Sequence, residues 1–195
     1  MGGWNHNLHY HDVVLSAVPA DCQRALDVGC GQGQLALELA RHCEEVVAID
    51  ADRETLTRAR SACDREPRMH FVEGDVMNDP FAEGSFDFIS AVATLHHLPL
   101  RPALERFQSL LRPGGVLALI GLYRPQTIED YAWAAAAFPA SRVLKWLRGR
   151  TEVTAPLQEP KETLSEIRAA CEEILPGGVF RRRLFFRYSF VWRKP

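Results

Sequence analysis

Gly29, Gly31 and Gly33 stand at alternate positions between an apolar stretch ending at Val28 and a helical one starting at Gln34. Glycines so placed let the backbone turn sharply and let a ligand lie against bare main chain. Asp27 lies beside the turn. Asp50 closes the next apolar stretch, and Asp75 follows the one after that. A carboxylate at Asp50 can accept both hydroxyls of a ribose, and hydrogen bonds to a charged group are worth roughly 1.5–3 kcal/mol each. Asp75 can accept from an adenine amino group, with the Val76 N–H facing a ring nitrogen. Two adjacent histidines, His96 and His97, come after the fourth apolar stretch. An imidazole titrating near 6.5 suits proton transfer at neutral pH.

These residues need a scaffold that brings strand ends together. The pattern predicts strands at 24–28, 45–49, 69–72, 86–92 and 116–122, with helices at 12–18, 34–43, 53–63 and 101–111 between or before them. The run 86–92 is almost wholly apolar, as a central strand covered on both faces should be. Alternation of strand and helix predicts a parallel, doubly wound α/β sheet. Ligands sit at the carboxyl edge of such a sheet, where Gly29, Asp50, Asp75 and His96 would all fall. Beyond Tyr123 the pattern changes. Residues 128–147 read as an aromatic-rich helix, 151–160 as a loop and 161–175 as a helix. Leu184, Phe186, Tyr188, Phe190 and Trp192 alternate as one side of an extended segment, and 179–192 reads as one or two closing strands, with a hairpin or a bend near Arg187.

The chain has 195 residues and a net charge of −2. That length favours one domain, 1–195, with a full core, and the charge predicts no strong pull toward nucleic acid or membrane. Five cysteines without redox or metal spacing predict a reducing, cytoplasmic setting. No apolar run approaches the roughly 18 residues of a membrane span.

An NAD fingerprint would carry its third glycine where Gln34 stands, and a phosphate loop would end in Gly-Lys-Ser/Thr. Neither is present. The motifs Leu26-Asp27-Val28-Gly29-Cys30-Gly31-Gln32-Gly33, Val47-Ala48-Ile49-Asp50, Glu73-Gly74-Asp75-Val76, Phe86-Asp87-Phe88-Ile89-Ser90 with Leu95-His96-His97-Leu98, and Leu110-Leu111-Arg112-Pro113-Gly114-Gly115 follow in order. Together they resemble the class I S-adenosylmethionine-dependent methyltransferases, and within them the small-molecule enzymes of the ubiquinone-biosynthesis type. The resemblance implies a Rossmann-like, seven-stranded sheet with an antiparallel last strand and a small helical cap. It implies S-adenosyl-L-methionine as cofactor, held by Asp27, Gly29, Cys30, Gly31, Gly33, Asp50, Ala51, Asp75, Val76 and the Ala91 carbonyl. It also implies an N-terminal lid helix, 1–20, with Tyr10 against the cofactor and His6 or His9 at the entrance. Residues 123–160 would form the cap, whose Tyr131, Trp133, Phe138 and Trp146 predict a small apolar or aromatic acceptor.

His96 and His97 are then candidate general bases, weighed against a plain packing role under the next loop. The histidine-rich start, residues 4–11, lacks the carboxylates or cysteines that would complete a metal site, so metal-independent transfer is expected. No Asn/Asp-Pro-Pro-aromatic turn follows the fourth strand, which argues against methylation of nucleic-acid bases. A second class of function keeps the fold and binds the sulfonium without methylating, as a partner subunit or non-methylating enzyme. The arginines at 181–183, 187 and 193 read as a solvated strand face that discourages edge-to-edge pairing.

Overall fold

The computed structural model describes residues 10–131, 159–184 and 186–195. Its centre is a seven-stranded sheet in the order β3-β2-β1-β4-β5-β7-β6. The strands are β1 (Arg24–Val28), β2 (Glu45–Asp50), β3 (Met69–Glu73), β4 (Phe86–Val92), β5 (Leu111–Leu122), β6 (Val179–Arg183) and β7 (Arg187–Arg193). The first five are mutually parallel, and β7 runs antiparallel to both β5 and β6. The architecture is the doubly wound sheet with an antiparallel last strand that the motifs imply.

Strand alternation explains the two cores. Leu26, Val28, Ile49, Ile89 and Leu119 point to one face, where helices α4 (Leu100–Leu110) and α5 (Leu164–Ile174) cover them with Leu104, Phe107 and Ile167. Ala25, Ala48, Phe88 and Ile120 point to the other face. There α1 (His11–Leu15), α2 (Gln34–Leu39) and α3 (Arg53–Ala62) supply Val14, Leu35, Leu39 and Leu56. Burial on both faces is why β4 reads as a continuous apolar run.

Several boundaries depart from the sequence pattern. The Pro113-Gly114-Gly115 stop lies inside β5, because the C-terminal strand reaches back to it. Gly114 N–H donates to the Lys194 carbonyl and Lys194 N–H to the Gly115 carbonyl, each at 2.9 Å. Helix α5 starts later than 161, at a capping box in which Thr163 and Glu166 bond reciprocally to each other's backbone N–H. Of the hairpin and the bend expected near Arg187, the closing segment is the hairpin, reversing just before that residue. Leu184 and Phe186 lie in its turn, and only Tyr188, Phe190 and Trp192 line the core side of β7. Two cysteines scattered in sequence meet in space: a hydrogen bond with Cys43, and then burial, push the Cys22 thiol upward. Most of the expected cap, 132–158 with Trp133, Phe138 and Trp146, lies outside the described residues, as do His6 and His9 of the expected lid.

Candidate active site at the carboxyl edge of the sheet

Parallel register stacks the strand ends. Val28 pairs with Ile49 on one side and Ala91 on the other, Asp50 pairs with Glu73, and Val92 pairs with Ile120. The glycine turn therefore emerges level with the ends of β2 and β4. It is tied down from β2: Gly29 and Cys30 N–H groups both donate to the Ile49 carbonyl, at 2.8 and 3.1 Å. Gly31 N–H donates to Asp50 Oδ2 at 2.8 Å, and Asp52 N–H to Asp50 Oδ1 at 2.9 Å. Each carboxylate oxygen of Asp50 keeps a lone pair for a further donor.

Two glycines of the turn differ in what surrounds them. A side chain on Gly29 (φ +67°) would meet Thr94 Oγ1 at 2.3 Å. Thr94 therefore packs directly on that backbone. At Gly31 (φ +53°), among the described residues and apart from its own chain neighbours, no atom lies within 4 Å of where a Cβ would stand. Ala93, also left-handed at φ +55°, turns the chain out of β4 and sets Thr94 over Gly29. A non-glycine residue in that region costs roughly 1–2 kcal/mol, so the geometry is held by its surroundings, including the bond from Ala93 N–H to the Ile120 carbonyl at 2.7 Å.

Asp27 is buried beneath the turn. Ser90 Oγ donates to its Oδ1 at 2.8 Å, while Oδ2 has no partner among the described residues. Burial pushes its carboxyl up to about 7, against the Ser90 hydrogen bond that lowers it. A buried acceptor without a donor is costly, and an ammonium group brought to it would remove the cost. Cys30 is buried beside it, and burial raises its thiol, so it lines the turn as an inert apolar group. Ala91 is packed between Val28 and Leu119, and Ala51 is exposed just past Asp50. Gly33 N-caps α2 in the left-handed conformation.

Asp75 is exposed and folds its own turn, accepting from Met77 N–H and Asn78 Nδ2 at 3.0 Å each. Val76 is buried, and its carbonyl accepts from Arg106 Nε at 3.2 Å. Arg106 also holds the Asp79 carbonyl at 2.6 Å, so one arginine fixes the segment after β3.

His96 and His97 lie on a single 3₁₀ turn, Leu95–His97, with ring centroids 4.0 Å apart. His96 Nδ1 is buried with no partner among the described residues. Burial, with the neighbouring His97 and Arg187, pushes His96 down to about 4, so its ring is neutral at physiological pH. Tyr10 is buried and donates its hydroxyl to the Leu184 carbonyl at 3.2 Å. It bridges the first helix to the β6–β7 turn. Tyr131 is exposed and meets Phe186 edge-on at 6.3 Å.

Thr94, Ser90, Ala93 and Arg106 did not stand out in the sequence. Ser90 left a trace as the one hydroxyl in an apolar strand. The others act through contacts across the fold that no local spacing encodes. A separate cavity of about 360 Å³, bounded by Thr127, Asp130, Thr163, Arg168 and Arg182, lies by the root of the expected cap. Its walls are cross-linked by Arg182 to Glu129 and Asp130 at 2.9 and 2.7 Å. Among the described residues no three metal-ligating side chains converge, and no helix is long and apolar enough to cross a membrane.

Residues 25–115 match a family model described as a methyltransferase domain. An uncharacterised methyltransferase of Mycobacterium tuberculosis (strain ATCC 25618 / H37Rv) is 35% identical over 194 residues, 98% of each chain. A ubiquinone biosynthesis O-methyltransferase of Xanthomonas campestris pv. campestris (strain B100) is 33% identical over 165 residues, 82% of this chain and 66% of that one. The crystal structure of a SAM-dependent methyltransferase from Aquifex aeolicus superposes with a TM-score of 0.65 at 17% identity, covering 95% of this chain and 89% of that one. With a near full-length relative at this identity and the glycine turn, Asp50 and strand order described above, the chain belongs to the S-adenosylmethionine-dependent methyltransferase family.

Proposed function

We propose that this protein transfers a methyl group from S-adenosyl-L-methionine to a small-molecule acceptor, without a metal ion and in the cytoplasm. The observation that carries the reading is the open floor at Gly31, flanked by the anchored carboxylate of Asp50 and the unpartnered Oδ2 of Asp27. An amino acid joined to a ribose fits those groups: an ammonium at Asp27 and hydroxyls at Asp50. In this reading Gly29, Cys30, Gly31 and Gly33 form the floor, with Ala51, Asp75, Val76 and Ala91 around the rest of the cofactor. The cofactor supplies an already activated methyl carbon, displaced in line by the acceptor.

The protein's task is then alignment and exclusion of water, and good alignment can supply about 7–11 kcal/mol. Thr94 fixes the floor by packing on Gly29, and the 3₁₀ turn that follows presents His96 and His97 beside it. The neutral His96 ring offers Nδ1 as a hydrogen-bond acceptor for the acceptor's hydroxyl or amine. An oxygen or nitrogen that is gaining a methyl group becomes strongly acidic, so a weak base suffices at that moment; such assistance is worth typically 10²–10⁴-fold. The chain acts as one domain, 1–195, with 1–20 as lid and 123–160 as acceptor cap. Tyr10 joins the lid to the hairpin and lies toward the acceptor side of the cofactor. Five free, buried thiols fit a reducing compartment.

The test is release of S-adenosylhomocysteine with a panel of hydroxylated and amino aromatic compounds, alongside calorimetry with S-adenosylmethionine. Methyl transfer that falls by about 10²-fold or more in His96→Ala or His97→Ala, with cofactor affinity kept, supports the base assignment. Full turnover in both variants removes it, and absence of S-adenosylmethionine binding overturns the whole reading.

A further inference from the structure

Arg187 is the one arginine or lysine buried among the described residues, at 8% exposure. The run of arginines reads in sequence as a solvated face, and Arg181 fits that reading. Arg187 does not. It is the first residue of β7 and pairs with Leu122, the last residue of β5, so it sits at the same carboxyl edge as the glycine turn. Strand alternation puts it with Ser189 and Val191, on the face that carries Tyr10, α1 and α2. Directly across the hairpin, its register partner is Arg183. Like charges opposite one another on a sheet repel. Arg187 is the more buried of the two. Arg183 is half-buried, donates Nε to Ser189 Oγ at 2.9 Å and makes no ion pair among the described residues.

The groups around this pair belong to the candidate site. Tyr10 lies within the field of both arginines, and His96 feels the charge of Arg187. Burial lowers Arg187 itself to about 10, with Tyr10 opposing the shift, so it stays charged at neutral pH. Strands are spaced about 4.8 Å apart. Strand β7 is two strands from β4 and three from β1, roughly 10 and 14 Å away by that spacing. The adenosine side of the cofactor site, at Asp50, lies in the opposite direction. A cationic pair on this side, beside His96, stands where an acceptor lies rather than where the methionine half of the donor lies.

We propose that Arg187, with Arg183, seats a carboxylate on the acceptor, so that the preferred substrate is a small aromatic or apolar acid rather than a neutral molecule. The guanidinium fork matches a carboxylate in two-point geometry, and an anion between the two arginines relieves their mutual repulsion. This rests on the methyl-transfer reading above and names the substrate class of that site.

The experiment uses the full chain loaded with S-adenosylhomocysteine, after calorimetry has measured that loading. Pairs of hydroxylated benzoates and their neutral benzamide counterparts are then titrated. The wild-type protein should bind the acid of a pair at least about tenfold more tightly than the amide, the size of one charge-assisted hydrogen bond. Arg187→Gln should erase the preference without altering the affinity for S-adenosylhomocysteine, and Arg187→Lys should restore part of it. Arg183→Gln, at a less buried position, should reduce the preference and carries the test if Arg187→Gln does not fold. No preference in the wild-type protein, or one that survives both glutamine variants, overturns the carboxylate seat. Loss of S-adenosylhomocysteine affinity in Arg187→Gln reassigns the arginine to the donor and overturns it too. If S-adenosylhomocysteine does not bind the wild-type protein, the methyl-transfer reading itself has failed.

Discussion

At the scale of single residues, Gly29 and Gly31 look alike in the sequence but do different work. A side chain at Gly29 collides with Thr94 inside the protein, whereas one at Gly31 meets no described atom and would stand on the floor proposed for the cofactor. Gly29→Ala should therefore damage folding, by several degrees of melting temperature. Gly31→Ala should cost little beyond its backbone strain, roughly 1–2 kcal/mol, yet lower S-adenosylmethionine affinity by at least about tenfold. Calorimetry and thermal melts on both variants decide this; equal loss of stability in the two would contradict it. Asp27 carries a pH signature. It takes up a proton near 7 in the folded protein and near 4 in an unfolded chain. Between those values the folded state holds more protons, so this group makes stability fall as pH rises. Asp27→Asn removes that slope. Its melting temperature should gain on the wild type by several degrees between about pH 5 and about pH 8, at roughly 2–4 °C per kcal/mol, and parallel curves would refute it. Asp27, Asp50 and the glycines could be picked from the sequence because their types and spacing are local. Thr94 and Ala93 could not, because their roles depend on where the exit of β4 lies relative to a turn more than sixty residues earlier.

At the scale of elements, strands were the easiest to read. Their apolar runs are short, uninterrupted and bounded by glycine, proline or aspartate, and β1 and β4 keep their expected limits. Helix ends were harder. Helix α4 does stop ahead of Pro113-Gly114-Gly115, at Leu110, but hydrogen bonds with Lys194 draw that run into β5, and α5 begins at its cap rather than at the first helix-favouring residue. That cap can be tested. Thr163 accepts from Glu166 N–H while Glu166 accepts from Thr163 N–H. Thr163→Ala should cost about 1 kcal/mol, a fall of roughly 2–4 °C in melting temperature, and Thr163→Ser should recover most of it. The hairpin β6–β7 was half legible. Alternation announced a strand, but the period of two carries on through a tight turn, where Phe186 adopts φ +54°. The sequence pattern already points to a hairpin or bend near Arg187; the reversal falls just before it, where tertiary contact holds it, including Tyr123 N–H donating to the Phe186 carbonyl at 3.2 Å.

At the scale of the whole molecule, the two halves of the site come from different parts of the chain. The proposed donor side is built from one stretch of sequence, β1 to β4, whose strands are neighbours in the sheet in the order β3-β2-β1-β4. That contiguity is why the motifs are readable together and why the family could be named from them. The proposed acceptor side adds Tyr10 and the β6–β7 hairpin, from the two ends of the described chain, to His96 and His97, and its charge pattern is visible only with β7 beside β5. The hydrogen bond from Tyr10 to the Leu184 carbonyl joins residues 174 positions apart. Contacts of such separation form late in folding, because the long loop must close before they give anything back. A ribosome makes the glycine turn and its supporting strands well before it makes the hairpin. A nascent chain can thus assemble the donor floor while the exposed edge of β5 still waits for β7. Until β7 has been synthesised, that edge keeps its backbone groups unpaired, so the sheet passes through a stage in which β5 is an open template for pairing.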